Sequence, residues 1–305
     1  MALEVLRIGT RGSPMAMVQS GLVRDRLLAA HPGIAVDLVP IRTTGDRVQN
    51  RLLAEIGGKG LFTKEIEEAL LRREVDIAVH SLKDMETVVP PGLAIGCVLA
   101  RDDPRDALVS SGGAGLAALP AGARIGTASL RRRAQLLRRR GDLRIAPIRG
   151  NVNTRLNKLA AGEAEALVLA LSGLERLDMA GLASEILPTE MMLPAVGQGA
   201  LAIECRADDA RVRPLLSALH DPATAACVAA ERAMLAALDG SCRTPIAGLA
   251  TLAGDRLSLA GLLLAPDGQA ERRGHIAGAI GDAAALGTAL GNELRRDAGP
   301  EFGLA

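Results

Sequence analysis

Aromatic residues are almost absent from this 305-residue sequence, which has no Trp, no Tyr, and only Phe62 and Phe302. Proteins that bind single-stranded nucleic acid stack bases on aromatic side chains, so this scarcity argues against that class. The net charge of +1, from 36 Lys and Arg against 35 Asp and Glu, argues against nucleic-acid binding through bulk positive charge. The sequence therefore predicts no nucleic-acid partner.

Membrane spans, signal peptides and metal motifs are also missing. No apolar run reaches the roughly 18 residues of a membrane span, and the N-terminus lacks the basic-then-apolar order of a signal peptide. The four histidines show no His-x-His or Glu-x-x-His spacing, and no serine lies in a Gly-x-Ser-x-Gly elbow. The four cysteines form no Cys-x-x-Cys pair, which favours free thiols. We expect a cytoplasmic protein with no metal ion and no membrane partner.

Lysine is scarce as well, since 32 of the 36 basic residues are Arg. Ten of these arginines lie in residues 124–155, where Asp142 is the only acid. This local positive charge suits an anion with several charges, and the planar guanidinium pairs with carboxylates through two hydrogen bonds. Two alternatives stay open: a composition bias towards Arg, and a solvated helix face at Arg138, Arg139 and Arg140.

Strands and helices alternate through the first two thirds of the chain, which is typical of a parallel α/β sheet. The pattern predicts strands at 5–9, 34–41, 75–80, 124–127, 143–148 and 166–170, with helices at 13–31, 64–73, 129–140 and 151–161. The last third differs, with helices at 209–220, 222–238 and 282–297 and antiparallel strands at 246–253, 257–265 and 269–277. This arrangement predicts two α/β lobes and a C-terminal α+β domain.

Two matching turns lead from a strand into a helix, one at residues 8–13 and one at residues 125–129. Each places hydroxyl and backbone N–H groups at a helix N-terminus, where anions bind. We therefore expect two lobes that face one cleft, joined by the extended segments 93–100 and 194–205, which would act as a hinge. Residues 42–62 form a long glycine-containing stretch that we interpret as a lid over the cleft.

Two places carry candidate chemistry. Lys83 and Asp84 follow a predicted strand, at the sheet edge where α/β proteins bind ligands, although a surface ion pair explains them equally well. Cys242 lies in a loop beside Arg243, which would favour its thiolate, whereas the other cysteines lie in apolar surroundings. A reactive or modified cysteine and a spare loop thiol both remain open at this point.

Seven segments and the Cys242 loop, taken in order, resemble the porphobilinogen deaminase family, also called hydroxymethylbilane synthases. The segments are Gly9–Pro14, Gly57–Phe62, Asp76–Asp84, Asp103–Ala107, Ser129–Arg132, Arg149–Arg155 and Leu193–Gly199. They extend over nearly the whole chain, and the order of the motifs is specific. The resemblance implies a transferase that joins four porphobilinogen molecules head to tail, with loss of ammonia, into linear hydroxymethylbilane. We expect a monomer, because no apolar face stands out beyond what the three cores need.

The fold implied by the resemblance has two lobes like those of periplasmic binding proteins. Domain 1 would comprise residues 1–99 and 200–217, domain 2 residues 100–199, and domain 3 residues 218–305. A covalent dipyrromethane cofactor would be attached to Cys242 through a thioether and would prime the growing chain. The Arg-rich domain 2 would then bind carboxylates, because each pyrrole carries an acetate and a propionate.

The resemblance also implies roles for individual residues, with Asp84 as the catalytic group. The implied cofactor-binding residues are Ser13, Lys83, Asp84, Thr127, Ser129, Arg131, Arg132, Arg155 and Cys242. The implied substrate-binding residues are Arg11, Lys59, Phe62, Arg149, Arg155, Arg176 and Gln198. Arg133, Arg138, Arg139 and Arg140 are interpreted as surface residues.

The sequence departs from the family pattern at two of these places. Glu86 stands where a Pro usually follows the catalytic Asp by two residues, and Ala128 replaces a usual Ser between Thr127 and Ser129. A rival function is a two-lobed binding or effector-sensing protein that clamps one acid between Arg11 and Arg131. That alternative leaves Cys242 and the predicted lid unexplained.

Overall fold

The computed structural model describes residues 5–47, 63–239, 244–296 and 298–304. Its contacts divide the chain into two compact units, the first Met1–Arg101 with Ala200–Ala225, the second Asp102–Gly199 with Ala226–Ala305. The strands are β1 (Val5–Arg11), β2 (Ala35–Ile41), β3 (Ile77–Ser81), β4 (Leu93–Val98), β5 (Asp106–Ser110), β6 (Arg124–Gly126), β7 (Arg144–Ala146), β8 (Ala166–Ala170), β9 (Glu185–Leu187), β10 (Leu201–Arg206), β11 (Ile246–Ala253), β12 (Arg256–Leu264) and β13 (Glu271–Ala279). The helices are α1 (Pro14–Ala30), α2 (Thr44–Arg47), α3 (Lys64–Leu71), α4 (Leu130–Arg139), α5 (Val152–Ala160), α6 (Leu171–Glu175), α7 (Arg213–Ser217), α8 (Pro222–Ala237) and α9 (Ala283–Arg295).

The first unit contains a five-stranded sheet in the order β2-β1-β3-β10-β4. β1 lies parallel to β2 and β3, while β10 runs antiparallel to β3 and β4. Successive side chains of a strand point to opposite faces, so Ile77 packs with Val23 of α1 and Ala78 packs with Ile66 of α3. The sheet is therefore covered on both faces, which explains its apolar strands.

The second unit contains a sheet with the same plan, in the order β7-β6-β8-β5-β9. β6 is parallel to β7 and β8, and β5 is antiparallel to β8 and β9. Leu136 of α4 packs with Ile125 on one face, and Leu159 of α5 packs with Leu167 on the other. The two matching turns of the sequence thus occupy equivalent places, after β1 and after β6.

The six strands predicted in the two lobes are parallel, as expected, and each sheet also contains one strand that runs against the other four, β10 in the first unit and β5 in the second. The predicted connections at 93–100 and 194–205 are extended over β4 and β10, and these two segments pair with each other inside the first unit's sheet. β5 and β9 were not predicted, because both are short and their partners lie far away in sequence. The α/β class itself is confirmed.

The last part of the chain forms the predicted three-stranded antiparallel sheet, in the order β11-β12-β13. α8 and α9 cover it through Met234, Leu290 and Leu294. Within residues 209–220 the α-helix is shorter than predicted and covers Arg213–Ser217. The contacts group residues 226–305 with residues 102–199, and the three domain boundaries stay a prediction. No helix in the described ranges is both long and apolar enough to cross a membrane.

Candidate functional site

Charged groups of the first unit collect at the edge where β1 and β3 end. β1 ends at Arg11, and β3 is followed directly by a short 3₁₀ turn, Leu82–Asp84. Leu82 is 1% exposed and its backbone N–H donates to Ala200 O, which fixes the turn against the sheet. Asp84 is exposed, so its carboxylate faces solvent at the carboxyl edge, where α/β sheets bind ligands.

Buried hydroxyl and amide groups hold this edge in place. Ser13 is the N-cap of α1, and its Oγ accepts a hydrogen bond from the backbone N–H of Ala16. Gln19 Nε2 donates to Ser81 Oγ at 2.8 Å, and Ser20 Oγ donates to Thr10 Oγ1 at 2.7 Å. These bonds connect α1 to the ends of β1 and β3, so the N-terminus of α1 keeps a fixed position beside Asp84's turn.

The second unit has an equivalent edge after β6. Ser129 is the N-cap of α4 and accepts from the backbone N–H of Arg132, while Thr127 Oγ1 accepts from the N–H of Ser129. Arg149 follows β7, and Arg155 in α5 donates from Nε to Gly150 O at 2.7 Å. Both are half-buried. Thr127, Ser129 and Arg155, three of the predicted binding residues of this unit, therefore lie at or near the N-termini of α4 and α5, and helix N-termini attract anions.

A buried ion cluster lies at the start of α4. Asp106, the first residue of β5, is fully buried and pairs with Arg131 at 2.8 Å and Arg132 at 2.7 Å. Burial by itself raises the pKa of Asp106, but the two guanidinium groups outweigh it and hold that pKa well below its usual range. Gln198 is fully buried and donates from Nε2 to Asp106 and to Pro104 O.

Arg176 forms hydrogen bonds to other residues of the second unit. Its Nε donates to Asp102 Oδ2 at 2.8 Å, and its Nη2 donates to Gly199 O at 2.8 Å. Only 9% of its side chain is exposed. Its role towards substrate stays a prediction, and the structure adds that it ties α6 to the backbone just before β10.

The four arginines interpreted as surface residues differ in their exposure. Arg133, Arg138 and Arg139 are exposed, as predicted. Arg140 is half-buried at the surface: it pairs with Asp142 and donates to the carbonyl groups of Leu116 and Leu119. A guanidinium group has five N–H donors, which lets one side chain bridge a carboxylate and several backbone oxygens.

Three predicted site residues, Lys59, Phe62 and Cys242, lie outside the described residues, as do residues 48–62 of the predicted lid. Among the residues that are described, no group of three or more His, Cys, Asp or Glu side chains could hold a metal ion. Cys97, Cys205 and Cys227 are buried free thiols, as predicted.

Sequence reasoning missed two buried features. Asp106 belongs to the Asp103–Ala107 segment that resembles the family, but no nearby residue indicates that it pairs with Arg131 and Arg132 from another element. In the first unit, His80 Nε2 lies 3.2 Å from Glu204 Oε2, with both side chains buried. Burial raises the pKa of nearby Glu67, and the Glu204 carboxylate adds to this effect. The pairing of β3 with β10 brings His80 and Glu204 together, and no spacing in the sequence signals it.

Comparison with known proteins gives consistent matches. Residues 6–214 match the family model described as "Porphobilinogen deaminase, dipyromethane cofactor binding domain", and residues 225–296 match "Porphobilinogen deaminase, C-terminal domain". Curated relatives named porphobilinogen deaminase include one from Paracoccus denitrificans, 56% identical over 97% of this chain and 96% of its own length. Another, from Geotalea uraniireducens, is 47% identical over 99% of this chain and 95% of its own length. Among solved structures, a TRAP periplasmic solute binding protein from Desulfovibrio salexigens is 12% identical, with a TM-score of 0.44 over 71% of this chain and 72% of that one.

Proposed function

Because the chain belongs to the porphobilinogen deaminase family, we propose that it joins porphobilinogen molecules head to tail into linear hydroxymethylbilane, as a transferase of tetrapyrrole biosynthesis. Beyond the family match, one observation carries the proposal. The exposed Asp84 carboxylate lies on an anchored turn at the carboxyl edge of β3, next to the edge where β1 ends at Arg11.

Asp84 supports the chemistry through its charge. Porphobilinogen loses ammonia, and the remaining carbon bonds to the free α-carbon of a second pyrrole, which then gives up a proton. Positive charge develops on the pyrrole nitrogen in both steps, so a carboxylate beside the N–H groups stabilises it. An exposed carboxylate at a fixed position can also accept and return a proton. We propose both roles for Asp84.

The remaining cations bind the acetate and propionate groups that every pyrrole carries. Arg11 and Lys83 belong to the edge of the first unit, and Arg131, Arg149 and Arg155 to the edge of the second. Arginine suits this task because its planar donors match a carboxylate in two hydrogen bonds. We propose that the backbone N–H groups after Ser13 and Ser129 add donors without adding charge.

The covalent dipyrromethane group fits the residues present. Arg131 and Arg132 carry two positive charges against one buried carboxylate, and Arg131 Nε is buried with no hydrogen-bond partner among the described residues. We propose that Arg131, Arg132, Thr127 and Ser129 hold the carboxylates of this group and that Cys242 carries it. When bound, the group supplies the primer from which the chain of pyrroles extends.

Intact mass of the purified protein tests the proposal. We expect a mass excess equal to two linked pyrrole units, absent in Cys242→Ser and retained in Cys227→Ala, which removes a buried thiol. Incubation with porphobilinogen should release a linear tetrapyrrole. An unmodified wild-type mass without tetrapyrrole release would contradict the proposal and favour a two-lobed anion-binding protein.

We also propose that the protein is a cytoplasmic monomer. The three described cysteines are free thiols, which agrees with a reducing compartment. Light scattering coupled to gel filtration should give the mass of one chain, 31.5 kDa plus the bound group. A mass of two chains would contradict the monomer.

A further inference from the structure

The second unit contains a buried ion cluster formed by Asp106, Arg131, Arg132 and Gln198. Its two cations lie at the N-terminus of α4, where the helix dipole disfavours positive charge. Arg131 and Arg132 lie in the first turn of α4, and all four residues are at most 6% exposed. A helix N-terminus favours anions, so two cations placed there need a compensating negative group. Asp106 is the carboxylate that pairs with both.

The hydrogen bonds show how Asp106 reaches both arginines. Its Oδ2 accepts from Arg131 Nη1 at 2.8 Å, and its Oδ1 accepts from Arg132 Nε at 3.1 Å and Nη2 at 2.7 Å. Oδ1 also accepts from Gln198 Nε2 at 2.9 Å. The two oxygens of one carboxylate thus each fix a different guanidinium group, and Gln198 fixes the carboxylate.

The topology explains why an acid from a distant segment lies at this position. β5 runs antiparallel to β8, with Asp106 opposite Ala170, the last residue of β8. The first residue of an antiparallel strand therefore meets the carboxyl ends of β6 and β8, where α4 begins. Two backbone carbonyl groups complete the arrangement, since Leu193 O accepts from Arg131 Nη1 and Val168 O from Arg132 Nη1.

Among the described residues, one positive charge of the cluster has no balancing carboxylate. Asp106 contributes one negative charge against two guanidinium groups, and Arg131 Nε is buried with no hydrogen-bond partner among the residues described. A buried, unused donor together with an excess cation indicates that an anion completes the cluster.

We propose that Asp106 is a positioning residue, which orients Arg131 and Arg132 so that their remaining N–H groups bind carboxylates of the pyrrole chain. The inference rests on the proposed function. Asp106 does not touch the ligand; it acts through the two arginines. Gln198, which was predicted to contact substrate, acts here by fixing the Asp106 carboxylate.

Asp106→Asn is the direct test because it keeps the shape and removes the charge. The amide N–H group must then face a donor, so the two guanidinium groups lose their common acceptor and repel each other. We expect the fraction of protein that carries the covalent adduct to fall and KM for porphobilinogen to rise by up to about 100-fold, with kcat changed much less, because misplacing a binding group by about 1 Å has effects of this size.

Asp103→Asn is the matched control. Asp103 lies three residues before Asp106, in the segment that leads into β5, and both of its carboxylate oxygens pair with Arg105. We expect wild-type adduct loading and KM in this variant. If folded Asp106→Asn also loads fully and has the wild-type KM, the inference is wrong.

A double variant keeps the test decisive if Asp106→Asn fails to fold. Asp106→Asn with Arg132→Gln returns the buried cluster to one net positive charge, as in the wild type, so we expect it to fold. The comparison is with Arg132→Gln alone. Lower loading and a higher KM in the double variant support positioning of Arg131 by Asp106. Equal values would show that Asp106 only balances charge and would overturn the inference.

Failure of the proposed function gives a different result. If the wild-type protein itself carries no adduct and releases no tetrapyrrole, the proposed function is wrong, and the variants have no adduct loading or KM to compare with it. If the wild type is loaded and active, only the Asp106 variants decide the positioning role.

Discussion

Asp84 and Asp106 are acids at the edges of the two α/β sheets, and they differ in their exposure to water. Asp84 is exposed at the end of β3, whereas Asp106 is fully buried against Arg131 and Arg132. An exposed carboxylate can reach a ligand and exchange protons with it, while a buried carboxylate that is saturated with hydrogen bonds can only orient its partners. Exposure thus separates Asp84, which we propose as the reacting acid, from Asp106, which we propose as a positioning acid.

The Asp84→Asn variant should keep its fold and its covalent adduct but lose most of its turnover, by about 100-fold or more, because the amide no longer stabilises positive charge or accepts a proton. Single-turnover rates of ammonia release check this. Asp37→Asn, at an exposed position of β2 in the same sheet, is the control. Near-normal turnover in Asp84→Asn would contradict the assignment.

The buried thiols should be inert in the native protein. Burial raises the pKa of Cys97 to about 12 and also raises the pKa of Cys205. Alkylation requires the thiolate, so at about pH 8 we expect neither cysteine to be alkylated until the chain is unfolded. Peptide mapping after iodoacetamide treatment, with and without urea, measures this. Equal labelling of Cys97 in both samples would contradict its burial.

At the scale of elements, the packing of α9 against α8 depends on glycine. A Cβ added to Gly287 of α9 would lie 2.0 Å from Ala230 O of α8, and one added to Gly291 would lie 2.6 Å from Met234 O. Both clashes involve backbone, which cannot rotate away. α8 and α9 can therefore cover the C-terminal sheet together only because these two positions lack side chains.

Gly287→Ala should lower the free energy of unfolding by about 1–3 kcal/mol, since the overpacking outweighs the helix propensity that alanine adds. Urea unfolding followed by circular dichroism measures it. Gly281→Ala is the control, because a Cβ at that exposed position meets no atom within 4 Å. A stabilised Gly287→Ala variant would show that the helices can separate at no cost.

For the molecule as a whole, a buried ion network and Asp84, the proposed catalytic residue, lie at opposite ends of the first sheet. A buried network joins Asp76, Arg206 and Asp209 at the edge where β3 begins, away from Asp84. Arg7 adds three further hydrogen bonds to Asp76, two from its guanidinium group and one from its backbone N–H, and Arg206 donates to Val75 O. Burial raises the pKa of Asp76, but Arg7 and Arg206 outweigh it, so the net shift is downwards.

Asp76→Asn should destabilise the protein by about 3 kcal/mol near neutral pH, because it leaves Arg206 buried with less compensation. A carboxyl whose folded pKa is depressed stabilises the fold above its unfolded pKa of about 4 and loses that contribution as the pH falls through the folded value. The wild type should therefore lose stability on acidification, and the variant should lose less.

Urea midpoints at neutral and acidic pH measure both effects. Glu74→Gln is the control, since its pair with Arg72 is exposed and contributes little. An Asp76→Asn variant with wild-type stability and the same acid dependence would contradict this account.

Local patterns were sufficient for most helices and strands. The Ser13-Pro14 start of α1, the Ser129 cap of α4 and the apolar run of β8 are signals within a few residues. β5, β9 and the direction of β10 could not be predicted, because a short strand is defined by partners that lie far away in the chain. The same limit applied to the site: Asp84 follows its strand directly, whereas Asp106 and Arg131 meet across 25 residues.

The sequence by itself determined the family, the α/β lobes with their C-terminal antiparallel sheet, and the surplus of arginine around residues 124–155. Those properties follow from motifs, hydrophobic periodicity and local charge, which can be read from nearby residues. Only the tertiary structure decided which arginines are already engaged: Arg131 and Arg132 by Asp106, Arg176 by Asp102, and Arg140 by the carbonyl groups of Leu116 and Leu119. The physical reason is that a charge acquires its partner and its burial only when distant strands and helices pack together.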